Sequence, residues 1–276
     1  MNLLLPADYH LHTHHSGDSD APMEKTIESA IARGLKTICI TEHMDFDYPV
    51  FENVPEGLFE VDTDAYHAEH KELSSKYKDK INVRFGIELG LQPHLAERNK
   101  AYLEKYPFDF VIGSNHLCHT KDPYYPSFYE GRELKDAYIE FFESTLENIQ
   151  AFDNFDVLGH LDYLVRYAPG QESNYNYMDY TDITDKILTL IIEKGKGLDV
   201  NTKALYSDPP FENPNPCKGI LTRYKELGGE IITFGSDAHK PENVAGGFEK
   251  AVQIVRACGF TKYCTFSARK VEFHNL

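Results

Sequence analysis

The chain has 276 residues, of which 41% are hydrophobic and 26% are charged, and its formal net charge is −16 at pH 7. This length suits one large α/β domain or two smaller ones. The negative charge repels a phosphate backbone, so nucleic acid is not expected as a partner. No apolar run approaches the ~18 residues of a membrane span, and the opening MNLLLP has no basic region. We therefore predict a cytoplasmic protein without a membrane partner.

Short apolar strands alternate with amphipathic helical patterns along the chain. Strands are predicted at 8–12, 36–41, 81–89, 108–116, 155–162, 195–202, 230–239 and 262–267. Helices are predicted at 21–34, 64–79, 94–106, 132–152, 181–194, 216–227 and 242–257. These roughly seven βα units favour a parallel sheet with right-handed crossovers. The length suits a TIM-like barrel that is short of eight units or distorted, and an open doubly wound sheet is the structural alternative.

Histidines and acidic residues recur at the ends of the predicted strands. His10 and His12 close the first strand, and His43 follows the second. The later strands contribute Glu88, His116, His160, Asn201, Asp237 and His239. Because the carboxyl ends of barrel strands meet at one face, we expect these side chains to converge there. The other seven histidines, including His14 and His15, are expected to be helix or loop residues without a ligand role, although His14 and His15 are close enough to the site to contact its ligands.

Imidazole and carboxylate groups are ligands for zinc, iron or manganese. Alternate residues of a strand point the same way, so His10 and His12 can bind one ion, and Asp237 and His239 can bind one ion or bridge to a neighbouring one. Glu88 can offer one oxygen to each of two ions. The five cysteines form no C-x-x-C pair, so we predict reduced thiols and no disulfide framework or thiolate zinc site.

Six motifs together resemble the polymerase and histidinol phosphatase (PHP) superfamily: DYHLHTHHSGD, ITEHMD, GIELG, GSNHLCH, GHLDYLVRY and GSDAH. Their order and spacing are most similar to the monofunctional bacterial histidinol-phosphate phosphatase branch, from about residue 8 to about residue 269. The resemblance implies a distorted (β/α)₇ barrel, with residues 1–276 as a single metallophosphoesterase domain. It also implies up to three divalent metals per chain, which are zinc, iron or manganese.

The resemblance further implies the ligands of each metal. The first metal would take His10, His12, Glu88 and Asp237, the second Glu88, His116 and His160, and the third Asp18, His43 and His239. Some relatives have histidine in place of Asp18. Glu88, Asp237 and His239 are the expected catalytic residues.

The activity implied is hydrolysis of the small phosphomonoester L-histidinol phosphate, through a hydroxide that bridges two metals. Arg166 and Lys203 are expected to bind the phosphate, although many relatives continue the Asn-Thr pair with Ser-Gly-Leu-Arg where this chain reads NTKALY. His239 or a water would protonate the leaving alkoxide. Four long aromatic loops, at 44–59, 119–131, 166–180 and 205–217, are expected to wall the pocket.

Three other functions are compatible with parts of this pattern. A PHP-type nuclease or nucleotide phosphoesterase would use the same metals, but the acidity of the chain disfavours it. An amidohydrolase also begins with H-x-H on a barrel strand, but it usually binds metal through a modified lysine where this chain has Glu88. A metal-binding or regulatory module that kept the fold would be expected to have lost ligands, and none of the nine is missing.

Overall fold

The computed structural model describes residues 5–51 and 54–276. Most of the opening MNLLLP segment and positions 52–53 of the predicted 44–59 loop therefore lie outside the described residues. All five cysteines are free thiols, as predicted. In the described ranges, none of the helices combines the length and apolar character that a membrane crossing needs.

Seven parallel strands in the described part of the chain form one sheet in sequence order. They are β1 (Ala7–Asp8), β2 (Thr37–Met44), β3 (Asn82–Gly90), β4 (Phe110–Ser114), β5 (Val157–Leu158), β6 (Gly197–Asn201) and β7 (Ile232–Gly235). The first and last strands also meet, because the Tyr9 amide donates to the Phe234 carbonyl at 2.8 Å. The Asp237 amide donates to the His10 carbonyl at 2.8 Å. The sheet is thus a nearly closed barrel, which confirms the predicted barrel and excludes the open doubly wound alternative.

The helices of the described ranges follow the barrel strands one by one. They are α1 (Met23–Ala32), α2 (Thr63–Tyr77), α3 (Ala96–Leu103), α4 (Leu134–Ala151), α5 (Thr181–Glu193), α6 (Lys218–Glu226) and α7 (Phe248–Ala257). Their apolar stripes face the barrel; in α5, for example, Ile187, Leu188 and Ile191 are fully buried. The start of α7 was predicted six residues too early. Gly247 adopts a positive φ of 72° immediately before the helix, which prevents the helix from starting earlier.

β1, β5 and β7 are all much shorter than predicted. Around β1 and β5, side chains bond the backbone groups that a longer ladder would pair. Of the predicted 8–12 strand only Asp8 pairs regularly with β2, and Ala7, just before the predicted start, pairs with it too. Beyond it, the Leu11 amide donates to the Thr41 hydroxyl at 3.1 Å, and the Thr13 amide donates to the Glu42 carboxylate at 3.0 Å. Near β5, the Asp156 carboxylate similarly accepts a bond from the amide of Val111 on the neighbouring strand, at 2.8 Å.

The predicted last strand is not part of the barrel. β8 (Lys262–Ser267) pairs antiparallel with β9 (Lys270–Asn275), a strand that the sequence analysis missed. Because β1 and β7 already meet, no edge remains for an eighth barrel strand. The hairpin instead lies across the amino ends of the strands. There the Tyr9 hydroxyl donates to the Phe266 carbonyl at 2.8 Å, and the Arg269 amide donates to the Asp109 carbonyl at 2.8 Å. It closes the end of the barrel opposite to the candidate site.

Candidate active site

The carboxylate of Glu88, at the end of β3, lies at the centre of a buried cluster and is 1% exposed. Its Oε2 lies 3.2 Å from Nε2 of His10 and 3.4 Å from Nε2 of His12. Its Oε1 lies 3.2 Å from Nε2 of His116 and 2.9 Å from Nε2 of His160. Nδ1 of His43 also lies 3.2 Å from Oε2, so Oε1 faces two imidazoles and Oε2 faces three. The two oxygens thus face different histidines, as those of a carboxylate shared between two ions would.

The remaining predicted ligands lie on one side of this centre. Nε2 of His239 is 2.9 Å from Oδ2 of Asp18, and Nε2 of His43 is 3.7 Å from Oδ1 of the same carboxylate. Oδ1 of Asp237 is 3.6 Å from Nε2 of His12 and 3.5 Å from Nδ1 of His239. The structure thus brings all nine predicted ligands into one continuous cluster, including Asp18 from the loop that follows β1.

Unsatisfied buried atoms show that these residues fit metal ions. Among the described residues, Nε2 of His10, Nε2 of His12 and Oε2 of Glu88 have no hydrogen-bond partner although they are buried. Such atoms are costly to leave unpaired. Bonds of 2.0–2.1 Å to a tetrahedral ion would place two ligand atoms roughly 3.3 Å apart, close to the 3.2 and 3.4 Å measured here. The donor set therefore suits a divalent ion of the zinc class.

Two aspartates that the sequence analysis missed orient the imidazoles from behind. Oδ2 of Asp199, on β6, lies 2.8 Å from Nδ1 of His10. Oδ1 of Asp45 lies 2.8 Å from Nδ1 of His116. These bonds favour the proton on Nδ1 and leave Nε2 free to bind an ion. Two features of the sequence could have indicated them. Asp199 is an acidic residue inside the apolar β6 strand, and Asp45 follows His43 by two positions.

Burial and the neighbouring charges shift the pKa values of several residues in the cluster. Burial opposes the ionisation of Glu88, but the imidazoles of His10 and His116 outweigh it and hold the pKa of this carboxyl well below its usual range. Burial, reinforced by neighbouring imidazoles, lowers the pKa of His12 well below normal, and burial lowers that of His160 to about 4. These two histidines are therefore neutral at pH 7, which is the protonation state that binds a metal.

The two predicted phosphate-binding residues lie beside the cluster. Arg166 is 8% exposed and donates to Oδ2 of Asp237 at 3.0 Å. Its other nitrogens donate to Oδ1 of Asn201 at 2.6 Å and Oδ1 of Asn215 at 2.8 Å, so the guanidinium is fixed in place. Nζ of Lys203 lies 3.2 Å from Oδ1 of Asp237. Two positive charges thus flank the carboxylate at the rim of the site.

The backbone around Asp237 has local features that the sequence pattern does not reveal. Asp237 adopts a positive φ of 52°, a left-handed conformation that is strained for a residue other than glycine. Two residues earlier, a Cβ on Gly235 would lie 2.2 Å from Cβ of His10 and 2.9 Å from Oδ1 of Asp199. A glycine at this position therefore allows β7 to approach the first metal-capable histidine.

A cavity of about 430 Å³ opens above the cluster. Its walls include Arg166, Lys203 and Asp122. Oδ2 of Asp122 accepts a 2.5 Å bond from the Tyr48 hydroxyl. The apolar and aromatic lining consists of Tyr48, Val54, Leu58, Phe59, Tyr124, Tyr125, Tyr163 and Tyr167. Three of the four predicted loops therefore wall this pocket.

The prediction for the fourth loop, 205–217, was wrong. It lines a neighbouring cavity of about 220 Å³ through Ser207, Asp208, Pro209 and Phe211. The Phe211 amide donates to the Ala204 carbonyl at 2.9 Å and the Phe211 side chain is buried, so the loop folds back on itself and away from the main pocket.

Comparisons with known proteins agree with this geometry. The family model for the PHP domain matches residues 8–203. The histidinol-phosphatase of Lactococcus lactis is 33% identical over 266 residues, which are 96% of this chain and 96% of the relative. A probable histidinol-phosphatase of Clostridium acetobutylicum is 34% identical over 266 residues, covering 96% of this chain and 98% of the relative.

Solved structures give the same result. The crystal structure of histidinol phosphate phosphatase from Lactococcus lactis, complexed with zinc, L-histidinol and phosphate, matches with a TM-score of 0.87. It is 33% identical in sequence and covers 97% of this chain and 98% of its own. A putative histidinol phosphatase from Listeria monocytogenes shares the fold, with a TM-score of 0.76 at 20% identity over 88% of this chain and 98% of its own. The chain therefore belongs to the PHP domain family, and within it to the histidinol-phosphatases.

Proposed function

We propose that this protein is a metal-dependent phosphomonoesterase that hydrolyses L-histidinol phosphate to L-histidinol and phosphate in histidine biosynthesis. The observation that carries this proposal is the similarity, over almost the whole chain, to a relative whose structure holds zinc, L-histidinol and phosphate. The cluster around Glu88 supplies the buried imidazole and carboxylate groups that such chemistry requires.

The proposed metal centre would hold up to three divalent ions, zinc in the first place, with iron or manganese as the alternatives. The ligand sets are those predicted above: Glu88 would be a ligand of both the first and the second ion, and Asp18, His43 and His239 would hold the third. Support comes from several overlapping groups of three convergent ligand residues within this region, which share His10, His12 and His43. The carboxylates of Glu88 and Asp237 place two negative charges in a buried space, and Asp18, which is 39% exposed, adds a third at its edge. Cations there would balance these charges.

Bound ions would lower the pKa of a water towards roughly 7 and neutralise charge on the phosphoryl oxygens. The protein's own groups would fix the geometry. Arg166 is rigidly held by Asn201 and Asn215, so its guanidinium can bind phosphoryl oxygens without a large loss of entropy. Lys203, whose Nζ lies 3.2 Å from Oδ1 of the Asp237 carboxylate, adds a second positive charge. Positioning and electrostatics of this kind supply most of the catalysis in phosphoryl transfer.

The pocket also suits the organic part of the substrate. Its volume of about 430 Å³ falls within the range of small-molecule sites. Aromatic walls can stack on an imidazole ring. Asp122 and Asp45 also line the pocket, and the amine of histidinol could bind to their carboxylates. Of the two candidates for delivering a proton to the leaving alkoxide, His239 and a water, we favour the water, because His239 is itself a proposed ligand of the third ion.

The test compares hydrolysis of L-histidinol phosphate, p-nitrophenyl phosphate and nucleoside monophosphates by the zinc-loaded protein. We expect kcat/KM to be highest for L-histidinol phosphate. Glu88→Gln keeps the shape of the side chain but removes its charge, and should reduce kcat by about 10³-fold or more, with fewer zinc ions bound. Glu97→Gln, on the exposed face of α3, is the matched control and should have normal activity.

Two results would contradict separate parts of the proposal. Equal kcat/KM values for all esters would remove L-histidinol phosphate as the substrate but leave phosphoesterase chemistry intact. Normal turnover and a normal zinc content in Glu88→Gln would refute the shared-carboxylate centre itself.

A further inference from the structure

A second group of metal-ligand side chains lies outside the strand-end cluster. His14 and His15, which the sequence placed near the site, both approach Glu69 on α2 instead. Nε2 of His15 is 2.7 Å and Nε2 of His14 is 3.2 Å from the same oxygen, Oε2 of Glu69. All three ligand atoms lie within 4.8 Å of one another. None of these residues belongs to the nine proposed ligands of the barrel centre.

The geometry is close to that of three ligands on one ion. The two imidazole rings have centroids 4.3 Å apart and planes tilted by 32°, and their Nε2 atoms both approach Oε2 of Glu69. The 3.2 Å separation of His14 and Glu69 is close to the roughly 3.3 Å expected between two ligands of a tetrahedral zinc ion. The His15–Glu69 pair must open by about 0.6 Å to reach that value. Glu69 is 32% exposed on a helix surface, so its carboxylate has room to move.

Exposure distinguishes this group from the barrel centre. The side chain of His14 is 44% exposed and that of His15 is 12% exposed. An ion can therefore enter directly from solvent, and water can complete its coordination. Two imidazoles and one carboxylate suit Zn²⁺, Cu²⁺ or Ni²⁺ rather than Mg²⁺ or Ca²⁺.

We propose that His14, His15 and Glu69 form a separate surface site for one divalent transition-metal ion, with Zn²⁺ as the reference ligand. With three protein ligands and open coordination positions, the site binds zinc more weakly than the enclosed centre. A bound ion links the segment between β1 and α1 to helix α2. That segment also carries Ser16, whose hydroxyl lies 3.1 Å from Nδ1 of His12. The ion therefore restrains a part of the backbone that contacts a proposed ligand of the barrel centre.

The experiment measures bound zinc per chain by elemental analysis, with the full-length protein equilibrated at a series of buffered free Zn²⁺ concentrations. We expect the wild-type curve to include a weaker step of one ion. His14→Ala and Glu69→Gln should each lose that step and keep the tighter ones. Phosphatase activity at low free Zn²⁺ should be unchanged, since neither residue belongs to the proposed catalytic machinery.

His94→Ala is the matched control, because His94 is an exposed histidine paired with one carboxylate, that of Asp47 at 3.1 Å, but it has no adjacent imidazole. This variant should keep the weaker step. Identical zinc curves for His14→Ala, Glu69→Gln and the wild type would overturn the proposal, and would mean that the three side chains are only hydrogen-bonded. Loss of the same step in His94→Ala would also overturn it, because the weaker binding would then be a general surface effect. Circular dichroism of each variant verifies that it is folded.

Discussion

At the scale of single residues, the proposed metal centre depends on the aspartates that bond Nδ1 of the histidines as well as on the proposed ligands themselves. Asp199 is fully buried and its carboxylate holds His10 through Nδ1, while Thr233 donates a 3.3 Å bond to its other oxygen. A carboxylate in this position fixes the ring and increases the basicity of Nε2. The same logic applies to Asp45 behind His116.

We therefore expect Asp199→Asn to weaken zinc binding at the barrel centre by about 10- to 100-fold, because an amide holds the imidazole less firmly and carries no charge. Competition with a chelator of known affinity measures this change. Asp185→Asn, which alters a surface pair with Arg223, is the control and should bind zinc normally. Wild-type zinc affinity in Asp199→Asn would show that the aspartate has no influence on the metal.

A second residue-scale prediction concerns the support of Arg166. Asn215 accepts the Nε–H bond of Arg166 and donates to Oδ1 of Asp162 at 2.7 Å. Asn215→Ala leaves a buried guanidinium donor without its acceptor, which costs about 1–3 kcal/mol. Because Arg166 is then positioned less firmly for the phosphate, we expect substrate binding to weaken by the same free energy. This corresponds to a decrease in kcat/KM of roughly 5- to 150-fold, mainly through a higher KM. Steady-state kinetics test this.

The exposed Asn174→Ala, which removes only a 3.1 Å bond to the Pro169 carbonyl, serves as the control for this prediction and should leave KM unchanged. An unchanged KM in a folded Asn215→Ala variant would mean that the arginine does not depend on this support.

At the scale of elements, the β8–β9 hairpin closes the end of the barrel opposite the site. Phe266 is 4% exposed and packs against Phe110 with ring centroids 5.0 Å apart. Phe266→Ala should lower the free energy of unfolding by about 3–5 kcal/mol, since it opens a cavity under the barrel. The activity of the folded variant should remain normal. Phe273→Ala, on the exposed side of the hairpin, should change stability by less than about 0.5 kcal/mol.

Urea unfolding measures both stability changes in this hairpin. Equal stability of Phe266→Ala and Phe273→Ala would show that the hairpin contributes little to the barrel.

The contact between α2 and β3 gives the fold a pH dependence of its own. His70 on α2 is buried and its Nε2 lies 3.1 Å from the Val83 carbonyl on β3. Burial lowers the pKa of His70 from 6.5 to about 4. As the pH falls, His70 is therefore protonated near pH 6.5 in the unfolded chain but only near pH 4 in the folded chain. The stabilisation is complete above pH 6.5 and is lost as the pH falls towards 4, by roughly 3 kcal/mol in total.

His70→Gln tests this pH dependence, because glutamine can keep the bond to Val83 but does not titrate. We expect the free energy of unfolding to fall less between pH 7 and pH 5 in this variant than in the wild type, as measured with urea at both values. Parallel pH profiles for the two proteins would rule out the titration of His70.

At the scale of the whole molecule, the metal centre should couple catalysis to stability. The chain carries a net charge of −16, and several carboxylates are buried where seven strands end. Ions that bind only the folded state stabilise it by about 4 kcal/mol for each site at 1,000 times its dissociation constant. Chelation should therefore lower the thermal midpoint by several degrees or more and abolish activity, and added zinc should restore both.

Differential scanning calorimetry with and without chelator measures the shift in midpoint. Glu88→Gln, which is expected to bind fewer ions, should show a smaller shift than the wild type. A midpoint that does not respond to chelation would argue against structurally coupled ions.

The barrel itself could be predicted because its determinants are local. Alternating apolar strands and amphipathic helices mark seven βα units, and the order of those units is the order of the sheet. β9 escaped prediction because its residues are mostly exposed and polar, and it forms only by pairing with β8. The short lengths of β1 and β5 depend on side-chain bonds from Thr41, Glu42 and Asp156 that no periodicity reveals.

The sequence by itself determined the chemistry available at the site, because residue types at strand ends set the donor atoms and a parallel barrel brings strand ends together. Only the tertiary structure decided how those donors are oriented. Asp199 reaches His10 across 189 positions of sequence, and Asp45 reaches His116 across 71. Only the fold also separated His14 and His15 from the cluster and turned them to Glu69. Contacts between residues so far apart depend on the closure of the barrel and on the packing of its helices. Neither can be predicted from a local sequence pattern.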